Sequence, residues 1–277
     1  MIRIAHIIKQ MDAPPGSEWA IAQPITLASM RAAQAFARDD VAVELYAVRG
    51  ADENVVIPEG FHAVRPLERD ARSVGEPRTT RPLPLLKDVL DRLYETSDAE
   101  YFVYTNIDVA LMPHFYAAVQ SFIAKGHDAI VINRRTIPAV WGSPVDLPAM
   151  YSCIGTAHPG FDCFVFRRSL YPRFILGDVC LGSGHVDLPL ICSMIATYPS
   201  FLLVADEHLT FHLGDPRVWY RRKYRAERAH NDREASMALV ALAKLSSRPL
   251  RWPYRMLLSL HLLKNSLFVR EFRRMFS

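Results

Sequence analysis

Two β-branched runs with a helical segment between them, all within residues 2–48, leave few folds open to this chain. The first run, IRIAHII, is apolar without a break, as in a strand buried on both faces. A Pro/Gly loop from Asp12 to Gly16 follows it. In PITLASMRAAQAFA (24–37) the apolar residues recur at helical spacing, and Pro24 suits the first turn of a helix. VAVELYAV (41–48) reads as a second strand. Neighbouring parallel strands need such a crossover, so strand, loop, helix and strand together predict a βαβ unit in a parallel sheet.

The pattern then repeats. Residues 50–84 form a loop-like stretch with Gly60, Gly75 and five prolines. LLKDVLDRLY (85–94) is an amphipathic helix, and EYFVYTNID is an apolar strand with a polar end. Pro113 introduces the helix HFYAAVQSFIA, and DAIVINR is a further strand. The second half is more mixed. FDCFVFRR fits an antiparallel strand, Val186 to Tyr198 a helix, and FLLVADE and LTFHLG two more strands. A helix runs from Trp219 through about Ala243, and after a break at Ser246, Ser247 and Pro249 a last amphipathic helix covers about Tyr254 to Met275. The expected architecture is α/β, a mixed but mainly parallel sheet of Rossmann type flanked by helices. A basic helical C-terminal extension, 217–277, follows a domain spanning 1–216.

The 277 residues are 50% hydrophobic and 22% charged, a composition that excludes a disordered chain. A net charge of +4 is no mark of a nucleic-acid binder. Positive charge is concentrated between Arg217 and Arg233 and in the tail, where Arg248, Arg251, Arg255, Lys264, Arg270, Arg273 and Arg274 meet one acid, Glu271. With Leu258, Leu262, Phe268 and Phe272, the tail reads either as a membrane-surface helix or as a helix packed on the body or on a second copy of the chain. Cys153, Cys163, Cys180 and Cys192 show no CxxC or zinc spacing and read as free thiols. The opening residues lack the apolar core of a signal peptide, and no stretch reaches the roughly 18 apolar residues of a span. A cytoplasmic protein, peripheral at most to the inner face of a membrane, is the expectation.

In an open parallel sheet, ligands bind beyond the carboxyl ends of the strands. There the sequence offers Asn106 and Asp108, which strand alternation would place on one side, a pair of oxygen ligands suited to a divalent cation. A cap for the following helix is the structural alternative for Asp108. Other polar residues beside apolar runs are His158 and Asp162 in HPGFDCFVF, His185 and Asp187 in GSGHVD, and His212 in FHLGD. Gly160 would let backbone approach a ligand closely. Arg81, Lys87, Arg134, Arg135, Arg221 and Arg222 are cations placed either to neutralise an anion or simply to be solvated.

EYFVYTNIDVALMPHFY resembles the strand and helix that carry the Asp-any-Asp motif of GT-A glycosyltransferases, with Asn106 where the first Asp usually stands. IAHIIKQ with PITLASMRAAQ, and then VAVELYAV, are similar to that family's opening strand, helix and second strand. The resemblance covers roughly residues 2–215. It implies transfer of a sugar from a nucleotide-diphosphate donor to a glycan, lipid or small-molecule acceptor, with Mn²⁺ or Mg²⁺ held by Asn106, Asp108 and His212. It implies Asp187 as the catalytic base, with His158, Asp162 and His185 as substrate contacts. Arg81, Lys87, Arg221 and Arg222 would lie along the donor diphosphate. A non-catalytic binding protein of the same fold, a nucleotidyltransferase and a metal-dependent hydrolase using Asp108, His185, Asp187 and His212 are the alternatives. The nucleotidyltransferase is disfavoured because Lys9 to Ser17 contains only Gly16.

Overall fold

The computed structural model describes residues 1–74, 79, 81–198, 200–215 and 222–245. Arg217, Arg221 and the expected tail helix lie outside them. Contacts divide the chain into two units, Met1–Glu68 with Asp88–Tyr171 and Ser200–Pro216, and Arg69–Lys87 with Pro172–Pro199 and Arg217–Ser277.

The first unit holds the sheet. Strand β1 (Ile2–Lys9) is followed by helix α1 (Glu18–Ala37) and strand β2 (Val41–Val48), the expected βαβ unit. β1 lies parallel to β2 in unbroken register, Ile2 opposite Val41 and Lys9 opposite Val48. α1 begins earlier than its periodicity suggests. Ser17 is its N-cap, its Oγ accepting from the Ala20 N–H at 3.2 Å, and Pro24 lies inside the helix instead of opening it. The cap serine, not the proline, sets where this helix begins.

A short strand β3 (His62–Ala63) edges β2, and β4 (Tyr101–Thr105) lies parallel to β1 on its other side. Beyond come β5 (Ala110–Leu111), helix α3 (Phe115–Ala124), β6 (Ala129–Ile137), β7 (Thr156–Arg167), β8 (Phe201–Val204) and β9 (Thr210–Leu213). (Helix α2, Leu86–Thr96, precedes β4.) The sheet order is β3-β2-β1-β4-β7-β6-β9-β5, with β8 also paired to β6. β7 runs antiparallel to both β4 and β6, so the sheet is mixed, as expected. Ile4, Ile8, Val103, Ile130, Ile132 and Val165 fill one core cluster, with Phe115, Tyr116 and Val119 of α3 in it.

His6 is buried in the middle of β1, between Tyr116 Oη at 2.8 Å from Nδ1 and Thr105 Oγ1 at 2.9 Å from Nε2. Both ring nitrogens are satisfied by neutral partners, and burial pushes its pKa down to about 3.

The second unit contains helix α4 (Leu188–Thr197) and helix α5 (Arg225–Leu245). Its Leu83, Leu85 and Cys180 form a small apolar cluster with Ala71. All four cysteines are free thiols. Among the described residues, no helix is long and apolar enough to cross a membrane.

Because His6 refuses a proton that the unfolded chain accepts below about 6.5, its burial lowers stability as the pH falls from there towards about 3. Urea melts at several pH values in this window should show a decline of up to about 1.4 kcal/mol per pH unit that His6→Gln removes.

Candidate functional site

β1 is flanked by β2 on one side and β4 on the other, so the chain leaves neighbouring strands in opposite directions at their carboxyl ends. Such a switch point opens a crevice in a parallel sheet. β4 ends there at Thr105, short of the run expected from sequence, and the Val109 N–H returns to the Asn106 carbonyl at 3.1 Å to close a turn. Strand alternation therefore does not apply to Asn106 and Asp108, and the turn sends their side chains to different partners.

Asp108 meets His212, with Oδ2 3.2 Å from Nε2. His212 arrives on β9, paired opposite Thr136 of β6. Its Nδ1 donates to the Gly214 carbonyl at 2.8 Å, which fixes the ring and turns Nε2 to the carboxylate. Burial alone would push His212 down, but the Asp108 charge and hydrogen bond outweigh it and hold the imidazole above its ordinary value. Burial likewise opposes the charge on Asp108, and His212 with Arg134 overrides it, so the carboxyl stays below the usual range.

Asn106 turns elsewhere. Its Oδ1 accepts from the Tyr104 hydroxyl at 2.8 Å, and its Nδ2 donates to Asp162 Oδ1 at 3.1 Å. Asp162 Oδ2 accepts from Arg134 Nη1 at 2.5 Å. Arg134 Nη2 faces His158 Nε2 at 3.4 Å and Asp215 Oδ1 at 3.7 Å. Two register shifts in the β6–β7 ladder, on either side of Asn133, explain this gathering: bulges re-aim side chains, and Arg134, Asp162 and His158 all fall at these breaks. Gly160 serves a different close approach from the one expected: a Cβ there would come within 2.8 Å of the His158 ring, whose Nδ1 accepts the Gly160 N–H at 2.9 Å. Burial first, and the Arg134 charge second, lower the His158 pKa.

Arg134 and Arg135 thus serve the protein itself. Arg135 bonds the Ile154 and Gly155 carbonyls and pairs with Asp206 at 2.6 Å. Sequence reasoning missed these partnerships because Asp162 lies 28 residues from Arg134 and 56 from Asn106, with nothing local to announce either contact. It also missed Lys9, buried at the carboxyl end of β1 and held by both oxygens of Glu53.

In the second unit, His185 Nδ1 lies 2.5 Å from Asp232 Oδ1, and His185 has φ of 59°, a left-handed conformation that side chains rarely adopt. Burial lowers its pKa, yet Asp232 raises it above the ordinary value overall. Asp187 stands at the N-cap position of α4 without a side-chain capping bond. Asn231 of α5 is fully buried and holds the loop before α4: Oδ1 accepts the Cys180 N–H at 2.8 Å and the Cys180 thiol at 3.1 Å, while Nδ2 donates to the Cys180 and Gly184 carbonyls at 2.9 Å each. Arg81 stacks on Tyr224 at 4.3 Å, and Lys87 and Arg222 are exposed.

The donor set formed by Asp108 and His212 suits a divalent cation: one carboxylate oxygen and one imidazole nitrogen, the ring oriented by a carbonyl. Among the described residues no group of three or more His, Cys, Asp or Glu side chains is placed to hold a metal.

No protein-family model matches the chain, and no curated protein sequence matches it. Solved structures do. TarS of S. aureus (residues 1–349), in complex with UDP-GlcNAc, superposes with a TM-score of 0.57 over 94% of this chain and 71% of that one, at 11% identity. The mannosyltransferase PcManGT of Pyrobaculum calidifontis, in complex with GDP-Man and Mn²⁺, gives 0.52 over 98% of this chain and 73% of that one, at 13% identity. The chain therefore has the GT-A fold of these transferases, and at such identity the likeness is one of fold.

Removing the Asn231 side chain would leave buried backbone groups of Cys180 and Gly184 without partners. Asn231→Ala should cost about 3 kcal/mol or more, and Asn231→Asp, which keeps the acceptor but loses both donors, should be no milder. Thermal melts of the two variants against the native chain measure this.

Proposed function

We propose that this protein is a nucleotide-sugar-dependent glycosyltransferase whose donor diphosphate binds at the carboxyl edge of β1 and β4, beside Asp108 and His212. The observation that carries the reading is the pairing of those two side chains, one from the turn after β4 and one from β9, about a hundred residues apart in the chain, beyond the strand ends where this fold takes its ligand. The mannosyltransferase of the same fold holds GDP-Man and Mn²⁺, and TarS holds UDP-GlcNAc, which supports a nucleotide sugar as donor and Mn²⁺ or Mg²⁺ as the ion.

A divalent ion bound here supplies positive charge to the leaving diphosphate. The protein's own part is positioning. Asp108 and His212 offer an oxygen and a nitrogen to the ion, and the Gly214 carbonyl keeps the His212 proton on Nδ1, so that Nε2 is the ligand atom once the ring is neutral. Asp108 stays ionised because His212 and Arg134 offset its burial. His158 and Asp162, gathered by the bulges of β7, are the candidate contacts to the donor's sugar.

The test is calorimetric titration with UDP, GDP, CDP, CMP and dTDP, each with and without Mn²⁺. One nucleotide should bind, and Mn²⁺ should tighten it. Asp108→Ala should abolish that gain, by more than the roughly 10–100-fold that even an outer partner of a metal ligand is worth. Binding of no nucleotide, or binding indifferent to both metal and Asp108, overturns the reading.

A further inference from the structure

Asn106 occupies the place of the first carboxylate in an Asp-any-Asp pattern, and its amide oxygen is the only atom it could offer a cation. That oxygen accepts the Tyr104 hydroxyl at 2.8 Å, while the amide nitrogen lies 3.1 Å from Asp162 Oδ1. The orientation is dictated by chemistry. A carboxylate paired with a guanidinium only accepts, so the amide must present its N–H₂ group to Asp162. A hydroxyl that donates to Oδ1 completes the same assignment.

The chain of bonds continues. Asp162 takes Arg134 on its other oxygen at 2.5 Å, and both side chains are largely enclosed, at 12% and 15% exposure. Tyr104, Asn106, Asp162 and Arg134 thus form one relay across β4, β7 and β6, in which the Tyr104 hydroxyl, the Asn106 amide nitrogen and Arg134 Nη1 each meet an acceptor. Asp108 and His212 form a separate pair. Each oxygen of Asp162 has one protein donor and keeps a further lone pair. A carboxylate so held repels phosphate and welcomes a hydroxyl.

We propose that Asn106 is a positioning residue rather than a metal ligand: its amide fixes Asp162, and Asp162 accepts a hydrogen bond from a hydroxyl of the sugar being transferred. This rests on the reading of the site as one for a nucleotide sugar. An aspartate at 106 would set a second carboxylate about 3 Å from the first, where like charges oppose each other. The substitution that restores the usual motif is therefore predicted to harm the site.

The test uses the full chain with Asn106→Asp, Asp162→Asn and the exchange of both. Mn²⁺ affinity is read by electron paramagnetic resonance in the presence of UDP or GDP. Calorimetry with Mn²⁺ then compares UDP with UDP-glucose and GDP with GDP-glucose. Asn106→Asp should bind Mn²⁺ no more tightly than the native chain. Asp162→Asn should weaken the sugar nucleotide about tenfold or more and leave the plain nucleotide within about threefold, the loss expected for one hydrogen bond to a charged group. The exchange, which rebuilds the amide–carboxylate bond in the opposite sense, should melt closer to the native chain than Asn106→Asp does, yet still lack the preference for the sugar.

A gain of about tenfold or more in Mn²⁺ affinity from Asn106→Asp would put residue 106 in the coordination shell and overturn the proposal. Equal weakening of plain and sugar nucleotide by Asp162→Asn would move the contact to the ribose and overturn it as well. A native chain that binds neither nucleotide defeats the donor reading and this assignment together. Native binding combined with a metal-tightening Asn106→Asp defeats this assignment alone.

Discussion

A guanidinium shut away from water must be paired, and the pairing of Arg134 organises the site. A lone buried charge is costly enough to unfold a marginal structure, whereas one flanked by carboxylates holds them in place. Arg134 pairs with Asp162 at 2.5 Å and approaches Asp215 at 3.7 Å, and its charge also bears on Asp108, His158 and His212. Three carboxylates, Asp108, Asp162 and Asp215, are therefore gathered around one positive charge. The arrangement needs Arg134 and Asp162 to turn inward from adjacent strands, and regular pairing of β6 with β7 would not provide that. The bulges are what allow it.

The alternation of strands and helices was legible because each element carries its own signal. The parallel arrangement of β1, β2 and β4 follows from the crossover, and β7 is antiparallel, in line with the expectation for FDCFVFRR. Boundaries were less legible. β4 stops at Thr105 because a backbone turn competes with the ladder, and α1 starts at Glu18 because Ser17 caps it, neither of which apolar periodicity registers. At the candidate site, residue types at strand ends pointed to Asp108 and His212. The partners of Asn106, Arg134 and Asp162 could not be found in the same way, since they depend on register shifts in a ladder and on contacts distant in sequence.

The second unit shows a related limit. Helix α5 has the charged look of a solvated surface, yet His230, Asn231, Glu227 and Glu234 are buried in it. Their partners are largely backbone groups of an irregular loop: His230 donates to the Asp178 carbonyl at 2.8 Å, Glu234 accepts the Asp178 N–H at 3.2 Å, and Asn231 serves Cys180 and Gly184. A buried loop has no ladder to satisfy its N–H and C=O groups, so side chains must do so. Hydropathy counts those residues as solvent-facing, and only their positions on one helix face hint otherwise. The same clamping supports the left-handed backbone of His185, a strain that persists only where the surroundings impose it.

Asn106 is where sequence pattern and physical chemistry part. Viewed as a motif, it is an aspartate that has lost its charge, and the natural inference is a weakened metal site. Viewed through its bonds, it is a group that must both accept and donate, and a carboxylate cannot do the second. Tyr104 supplies a hydroxyl on one side and Asp162 a carboxylate on the other. Of the two side chains, only the carboxamide satisfies both neighbours at once. The shape of aspartate is retained while its charge is dispensed with, and the charge that remains useful resides on Asp162, neutralised by Arg134. The hydrogen-bond inventory of its neighbours, more than the motif, therefore decides what residue 106 does.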